Sequence, residues 1–257
     1  QIVSIPFEGE SRKAVVNMGK LGILDAVDAA TGEYLFSMDV GLQNIVTAID
    51  PETGYKTINA YTDPQLEETR LICSTHYGTK SWPPAAFNPN TKRLYLPLNE
   101  GCIEAGPDGR YQVLTTGMQF REALNPDSNG NMGRIQALDL GKQEFDWLHR
   151  QPSPVISSIL ATAGGLVFAG DLNRVLKALD ENTGEVLWET ALDDVPSSTI
   201  VSYAVEGIQY LAIVVGQTGY HVNDWSRMYD IFAEQEGMPV NDSPKGGGAI
   251  WVFTLQQ

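Results

Sequence analysis

Residues 178–188 read Ala178-Leu179-Asp180-Glu181-Asn182-Thr183-Gly184-Glu185-Val186-Leu187-Trp188, and most of this phrase recurs. Ala26-Val27-Asp28-Ala29-Ala30-Thr31-Gly32-Glu33 and Ala48-Ile49-Asp50-Pro51-Glu52-Thr53-Gly54 are full copies, and Ala137-Leu138-Asp139-Leu140-Gly141-Lys142-Gln143-Glu144 is a weaker one that runs on to Trp147. The phrase encodes a tight hairpin. An apolar strand ends at Asp, whose carboxylate closes a local Asx-type turn, and Thr-Gly supplies the positive-φ corner from which the next strand departs. The Trp that follows offers a large flat surface for packing between neighbouring sheets. Asp139 and Asp180 lie 41 residues apart, the length of one four-stranded propeller blade.

The rest of the chain supports an all-β reading. Gly165-Leu-Val-Phe-Ala-Gly170, Tyr210-Leu-Ala-Ile-Val-Val215 and Ala249-Ile-Trp-Val-Phe-Thr254 are rich in β-branched and aromatic residues, and turn signals bound them. Helical periodicity is scarce, with Asp230 to Glu236 the one short candidate in a long loop from Thr218 to Gly248. The 257 residues accommodate about four blades, read as one unit over 1–257 with no separate second domain. Four blades leave strand edges open unless another segment closes the ring. A β-sandwich is the alternative, but it predicts no repeated Asp-x-x-Thr-Gly turn.

Composition narrows the partners. With 42% hydrophobic and 19% charged residues the chain is globular, and a net charge of −15 with 17 Lys+Arg argues against a polyanionic target such as nucleic acid or an anionic membrane. No apolar run is long enough to span a membrane, and residues 1–10 (QIVSIPFEGE) lack the form of a signal peptide, so any export signal is expected outside this sequence. Cys73 and Cys102 are the only cysteines. They leave open a disulfide, two thiols or half of a metal site, although zinc is disfavoured because neither sits in a CxxC pair.

Longer motifs carry a family resemblance. The segment from Ser157 to Trp188, SSILATAGGLVFAGDLNRVLKALDENTGEVLW, resembles a blade of the pyrroloquinoline quinone (PQQ) alcohol dehydrogenases, which are eight-bladed β-propellers with tryptophan docking motifs. Lys20-Leu-Gly-Ile-Leu-Asp25, Trp82-Pro-Pro-Ala-Ala-Phe-Asn-Pro89, Gln209-Tyr-Leu-Ala-Ile213 and Gly246-Gly-Gly-Ala-Ile-Trp-Val-Phe253 are similar to further family motifs in the same order. The resemblance implies that the chain is the C-terminal half of such a propeller. It also implies a Cys73–Cys102 disulfide, as in methanol dehydrogenase-like members, and with it an oxidising, periplasmic location.

The same resemblance assigns chemistry. PQQ lies in the central channel beside a calcium or lanthanide ion, and hydride passes to it from an alcohol, sugar or polyol. The family's catalytic Asp and metal ligands fall upstream of Gln1, so the chain is expected to be incomplete alone: a nicked product, a subunit of a split enzyme or part of a longer chain. No catalytic or metal-binding residue is expected within it. Lys20 occupies the position of the cation that donates to the quinone oxygens, whereas the residues alone make it a turn cation near two glycines. Ser81 stands where many members carry an Asn that contacts the cofactor, a role the hydroxyl takes or leaves to water or Lys80. Trp82 is placed in the channel wall, although a Trp before Pro-Pro is by default a packing residue. Ile156 and Ser157 replace a Trp and a Gly beside the cofactor ring, which widens the site for a substrate bulkier than methanol.

Other chemistries find little support. Asp127-Ser-Asn129-Gly-Asn131 alternates oxygen ligands as calcium loops do, but Met132 stands at the glycine position and no Glu closes the set, so it reads as a turn. No nucleophile elbow, phosphate loop, dinucleotide fingerprint or HExxH motif occurs, and His76, His149 and His221 are scattered. The expected activity is PQQ-dependent alcohol oxidation with electrons passed to a cytochrome c or similar acceptor. The alternative is a non-catalytic propeller acting as an assembly scaffold, which has no need of Lys20, Trp82-Pro-Pro or the cysteine pair.

Overall fold

The computed structural model of the chain describes residues 1–63, 67–107, 111–112, 119–216, 220–237 and 247–254. It divides into two compact units, residues 1–81 with 99–130 and residues 82–98 with 131–257. The first opens with a four-stranded antiparallel meander of β1 (Ile2–Phe7), β2 (Glu10–Met18), β3 (Ile23–Asp28) and β4 (Tyr34–Asp39), followed by a two-stranded ribbon of β5 (Val46–Ile49) and β6 (Lys56–Ile58). After β7 (Arg70–Cys73) the chain supplies β8 (Ala86–Asn88) and β9 (Arg93–Asn99) to a sheet of the second unit. It then returns with β10 (Gly101–Ala105), β11 (Tyr111–Gln112) and β12 (Gln119–Leu124) to complete a sheet ordered β11-β12-β10-β7. Cys73 and Cys102 face each other across the β7–β10 ladder and are bonded.

In the second unit β13 (Gly133–Asp139) and β14 (Glu144–Gln151) join β8 and β9 in the order β14-β13-β9-β8. The next sheet is a sequential meander of β15 (Leu160–Ala161), β16 (Leu166–Gly170), β17 (Val175–Asp180) and β18 (Val186–Ala191). A three-stranded sheet of β19 (Val201–Val205), β20 (Ile208–Val215) and β21 (Ala249–Thr254) follows. Among the described residues there are thus four four-stranded sheets with a three-stranded sheet and a ribbon besides, where the sequence suggested about four blades.

The repeated phrase forms the turn its chemistry requires. In every copy one carboxylate oxygen accepts two backbone N–H groups: Ala30 and Thr31 at Asp28, Glu52 and Thr53 at Asp50, Gly141 and Lys142 at Asp139, Asn182 and Thr183 at Asp180. These bonds hold the Asp28 carboxyl below its ordinary pKa, and the Thr53 hydroxyl and amide do the same for Asp50. A register shift precedes the Asp in the β3–β4, β13–β14 and β17–β18 hairpins alike. The Asp50 copy instead closes the small β5–β6 ribbon.

Trp147 shows what the turn is for. Its Nε1 donates to Glu181 O at 2.9 Å, and its ring covers Gly184 so closely that a Cβ there would lie 2.7 Å from Cδ2. The sheet carrying β14 thereby docks on the turn of the sheet carrying β17, over a core of Tyr95, Ile135, Ala137, Val155, Ile159, Val167, Ala169 and Leu179. A second core, including Leu176, Leu192, Ile200, Leu211, Ile213 and Val215, joins that sheet to the three-stranded one, and Trp188 meets Phe253 edge-on at 5.6 Å. The opposite face of the three-stranded sheet is apolar yet exposed, through Val201, Tyr203, Val205, Ile208, Val214, Ile250 and Val252.

The helix is longer than the sequence suggested. α1 runs from Tyr220 to Glu236, not over 230–236, and buries Val222, Trp225, Tyr229 and Phe232 at helical spacing. The stripe begins in a stretch of polar residues whose periodicity becomes visible only once Trp225 has a surface to cover. Among the described residues no helix is long and apolar enough to cross a membrane.

Candidate functional site

Lys20 sits at the tip of the turn between β2 and β3, where Gly22 N donates to Gly19 O. The segment after β7 wraps around it. Thr79 N and Ser74 Oγ both donate to Lys20 O, at 2.7 and 2.8 Å, and Lys20 Nζ donates to His76 O at 2.8 Å. Gly78 adopts φ +92° against the aliphatic stem, and a Cβ at this position would lie 2.6 Å from Lys20 Cβ. A glycine is needed here for both the backbone conformation and the contact. The ammonium is exposed at one fixed place, with a single carbonyl partner for three N–H donors.

The next residues of the segment extend the polar surface. Thr79 O accepts from Asn99 N at 2.8 Å, so the Lys20 turn, residues 78–81 and the end of β9 run side by side. Thr79 Oγ1 and Asn99 Oδ1 are buried without a hydrogen-bond partner. The half-buried Lys80 donates to Ser81 O at 2.9 Å, and burial lowers its pKa to about 8. Ser81 is half-buried at the end of this segment. The cluster therefore offers two ammonium groups, two hydroxyls and an amide oxygen around one short stretch of chain. The two ammonium groups suit an oxygen-rich, anionic ligand rather than a cation. Among the described residues no group of three or more His, Cys, Asp or Glu could hold a metal.

The remaining candidates belong to the second unit. Trp82 is 80% exposed, so in this chain it does not act as the packing residue its Pro-Pro context suggests. Ile156 and Ser157 are buried where the β14–β15 connection crosses the end of β16, their backbone N–H groups both donating to Gly170 O. Ser157 Oγ donates to Ser158 O and accepts from Gly170 N, each at 2.7 Å. Its hydroxyl is thus committed to the backbone, and the pair shapes this connection without presenting a polar group. Further bonds gather neighbouring connections at the same strand ends: Leu172 N to Pro154 O, Ser158 N to Ser198 O, and Gly216 N to Val195 O.

Residues 127–131 form a turn in which Asn125 accepts from Asp127 N and Asn129 and Gly130 are left-handed. Gly246, part of the last family motif, lies outside the described residues. Sequence reasoning named Lys80 only as a substitute for Ser81 and passed over Thr79 and Asn99. Nothing in the residue pattern marks those two; only their burial without partners does.

The fold and the sequence have known relatives. Residues 126–211 match the PQQ family model, described as glucose/ethanol/alcohol dehydrogenase, beta-propeller domain. The chain is 30% identical over 230 residues to a lanthanide-dependent methanol dehydrogenase of Methylorubrum extorquens, covering 83% of this chain and 38% of that protein. It is 26% identical to a quinohemoprotein alcohol dehydrogenase of Comamonas testosteroni, covering 99% of this chain and 35% of that protein. The chain thus spans well under half the length of these curated relatives. Among solved structures, a europium-containing methanol dehydrogenase superposes with a TM-score of 0.83 at 23% identity, over 99% of this chain and 47% of that one, which establishes the β-propeller fold. With its repeated Asp-turn and its docked tryptophan, the chain carries a match to the PQQ dehydrogenase beta-propeller domain over residues 126–211 and is similar to a C-terminal portion of PQQ-dependent alcohol dehydrogenases.

Proposed function

We infer that the chain forms one half of a single eight-bladed propeller whose complete form oxidises alcohols, sugars or polyols. The observation that carries this reading is the Lys20 turn, whose backbone carbonyl accepts from Thr79 N and Ser74 Oγ, whose stem packs on Gly78 and whose exposed ammonium donates to His76 O. Bound PQQ supplies the hydride acceptor, with calcium or a lanthanide held by residues outside this chain acting as Lewis acid. Lys20 would hold the cofactor through the N–H donors its bond to His76 O leaves over, and would supply positive charge to its quinone oxygens. Ser81 donates a shorter-reach hydroxyl beside it, and Trp82 forms part of the channel wall. Ile156 and Ser157 shape the wall without donating to the ring, which leaves room for a substrate larger than methanol.

The exposed apolar face of the three-stranded sheet supports the half-propeller reading, since each sheet before it in the second unit is covered by the next. A further sheet of the same propeller, outside this chain, covers it. The disulfide suits an oxidising compartment, here the periplasm, where a cytochrome c or similar carrier takes the electrons. The test is spectroscopic. The intact protein, loaded with PQQ and calcium or a lanthanide, is expected to show quinone absorption that bleaches on adding a primary alcohol, and a featureless near-ultraviolet trace after loading overturns the assignment.

A further inference from the structure

Cys73 is the last residue of β7, which lies at the edge of its sheet, and Cys102 is fully buried in the neighbouring β10. The backbone N–H and C=O of Cys73 are both bonded to Asn44, through Asn44 Oδ1 at 2.9 Å and Asn44 N at 3.0 Å, so the covalent bond is what ties this residue to β10. The six residues that follow make the Lys20 contacts: Ser74 Oγ and Thr79 N donate to its carbonyl, Gly78 lies on its stem and His76 O takes its ammonium. This segment is a closed turn, in which Gly78 N donates to Thr75 O at 2.9 Å. Its base presses on the residue before Cys102, because a Cβ on Gly101 would lie 2.5 Å from Thr75 Cγ2. All these residues belong to one unit. A lysine stem has four rotatable bonds, so Nζ stays in one place only if the carbonyl that receives it does.

We propose that the Cys73–Cys102 bond is a positioning element of the cofactor site: it holds residues 74–79 to β10 and so fixes the His76 carbonyl at which the Lys20 ammonium is kept. This rests on the assignment of Lys20 to the quinone oxygens above and deepens it. Cys73, Cys102 and Ser74 are positioning residues that act through Lys20. A charged donor stabilises developing charge best when it does not have to reorganise. Opening the disulfide leaves the β7–β10 ladder at Leu71 and Ile72 but frees the start of the segment that carries His76, so Lys20 loses its fixed anchor.

The test is a mutant cycle in the intact, PQQ-loaded protein. Cys73→Ser with Cys102→Ser is expected to lower kcat about three- to thirtyfold when Lys20 is present, and by less than about twofold in a Lys20→Ala background, because a positioning effect vanishes with the residue positioned. Equal factors in the two backgrounds overturn the proposal, since a disulfide that only stabilises the fold costs both alike. Should the cysteine variant fail to fold, Ser74→Ala removes one bond to Lys20 O and leaves the disulfide in place; a loss of about two- to tenfold that again needs Lys20 is expected. A second readout needs no turnover. In the PQQ-free intact protein, opening the disulfide should speed amide hydrogen exchange in residues 74–80 and 19–24 at least about fivefold and leave residues 133–151 as in the wild type. Unchanged exchange in 74–80, or an acceleration spread evenly over the chain, overturns the proposal while leaving the functional reading intact. A Lys20→Ala variant with unchanged kcat brings down the role of Lys20 and this proposal together.

Discussion

Gly184→Ala measures how much the repeated turn contributes as a docking socket beyond its role as a corner. Gly184 has φ +71°, so any side chain there pays about 1 to 2 kcal/mol for the left-handed backbone. Its new Cβ would also lie 2.7 Å from Trp147 Cδ2, well inside van der Waals contact. Displacing the indole adds an overpacking cost of about 1 to 3 kcal/mol and about 1 kcal/mol for the lost bond to Glu181 O. The expected total is about 3 to 6 kcal/mol. Gly32 supplies the internal control, because it occupies the same position of the same phrase with φ +76° and nothing within 4 Å of its ideal Cβ. Gly32→Ala should lose only the backbone share, about 1 to 2 kcal/mol. Guanidinium unfolding of the intact protein, followed by tryptophan fluorescence, compares the two midpoints. Equal losses would show that Trp147 yields freely and that the turn is not a socket.

The weaker copy of the phrase places Gln143 at φ +59°, where the full copies have glycine, so Gln143→Gly should raise the thermal midpoint by an amount equivalent to about 0.5 to 1 kcal/mol. Cys73→Ser with Cys102→Ser, which opens a loop of sequence separation 29, should cost about 3 to 4 kcal/mol, seen as a lower denaturation midpoint that no longer responds to reductant. Lys80 in the folded chain releases its proton near pH 8, whereas the unfolded chain holds it to about 10.5. Between those values the unfolded state binds more protons, so this group makes stability rise with pH, and Lys80→Met should flatten that part of the stability curve. Lys20→Ala in the complete enzyme should lower kcat about a hundred- to a thousandfold with PQQ largely retained; an unchanged kcat would return Lys20 to the status of a turn cation.

Local chemistry explains why so much was legible in the residues. The Asp-x-x-Thr-Gly hairpin is closed by bonds between groups two to four residues apart, so its pattern alone determined the turns, the strand ends and the all-β class. The ordered motifs likewise identified the family and the pairing of Cys73 with Cys102. Other features depend on partners far along the chain. The true length of α1 depends on a surface for Trp225 to cover, and the fate of the Ser157 hydroxyl depends on Gly170 N. The fixing of Lys20 depends on His76 and Gly78, more than fifty residues away in sequence. Thr79, Lys80 and Asn99 became candidates for the same reason. Their residue types are ordinary, and only tertiary packing decides which polar groups lose their water, because desolvation is a property of the surroundings and not of the side chain.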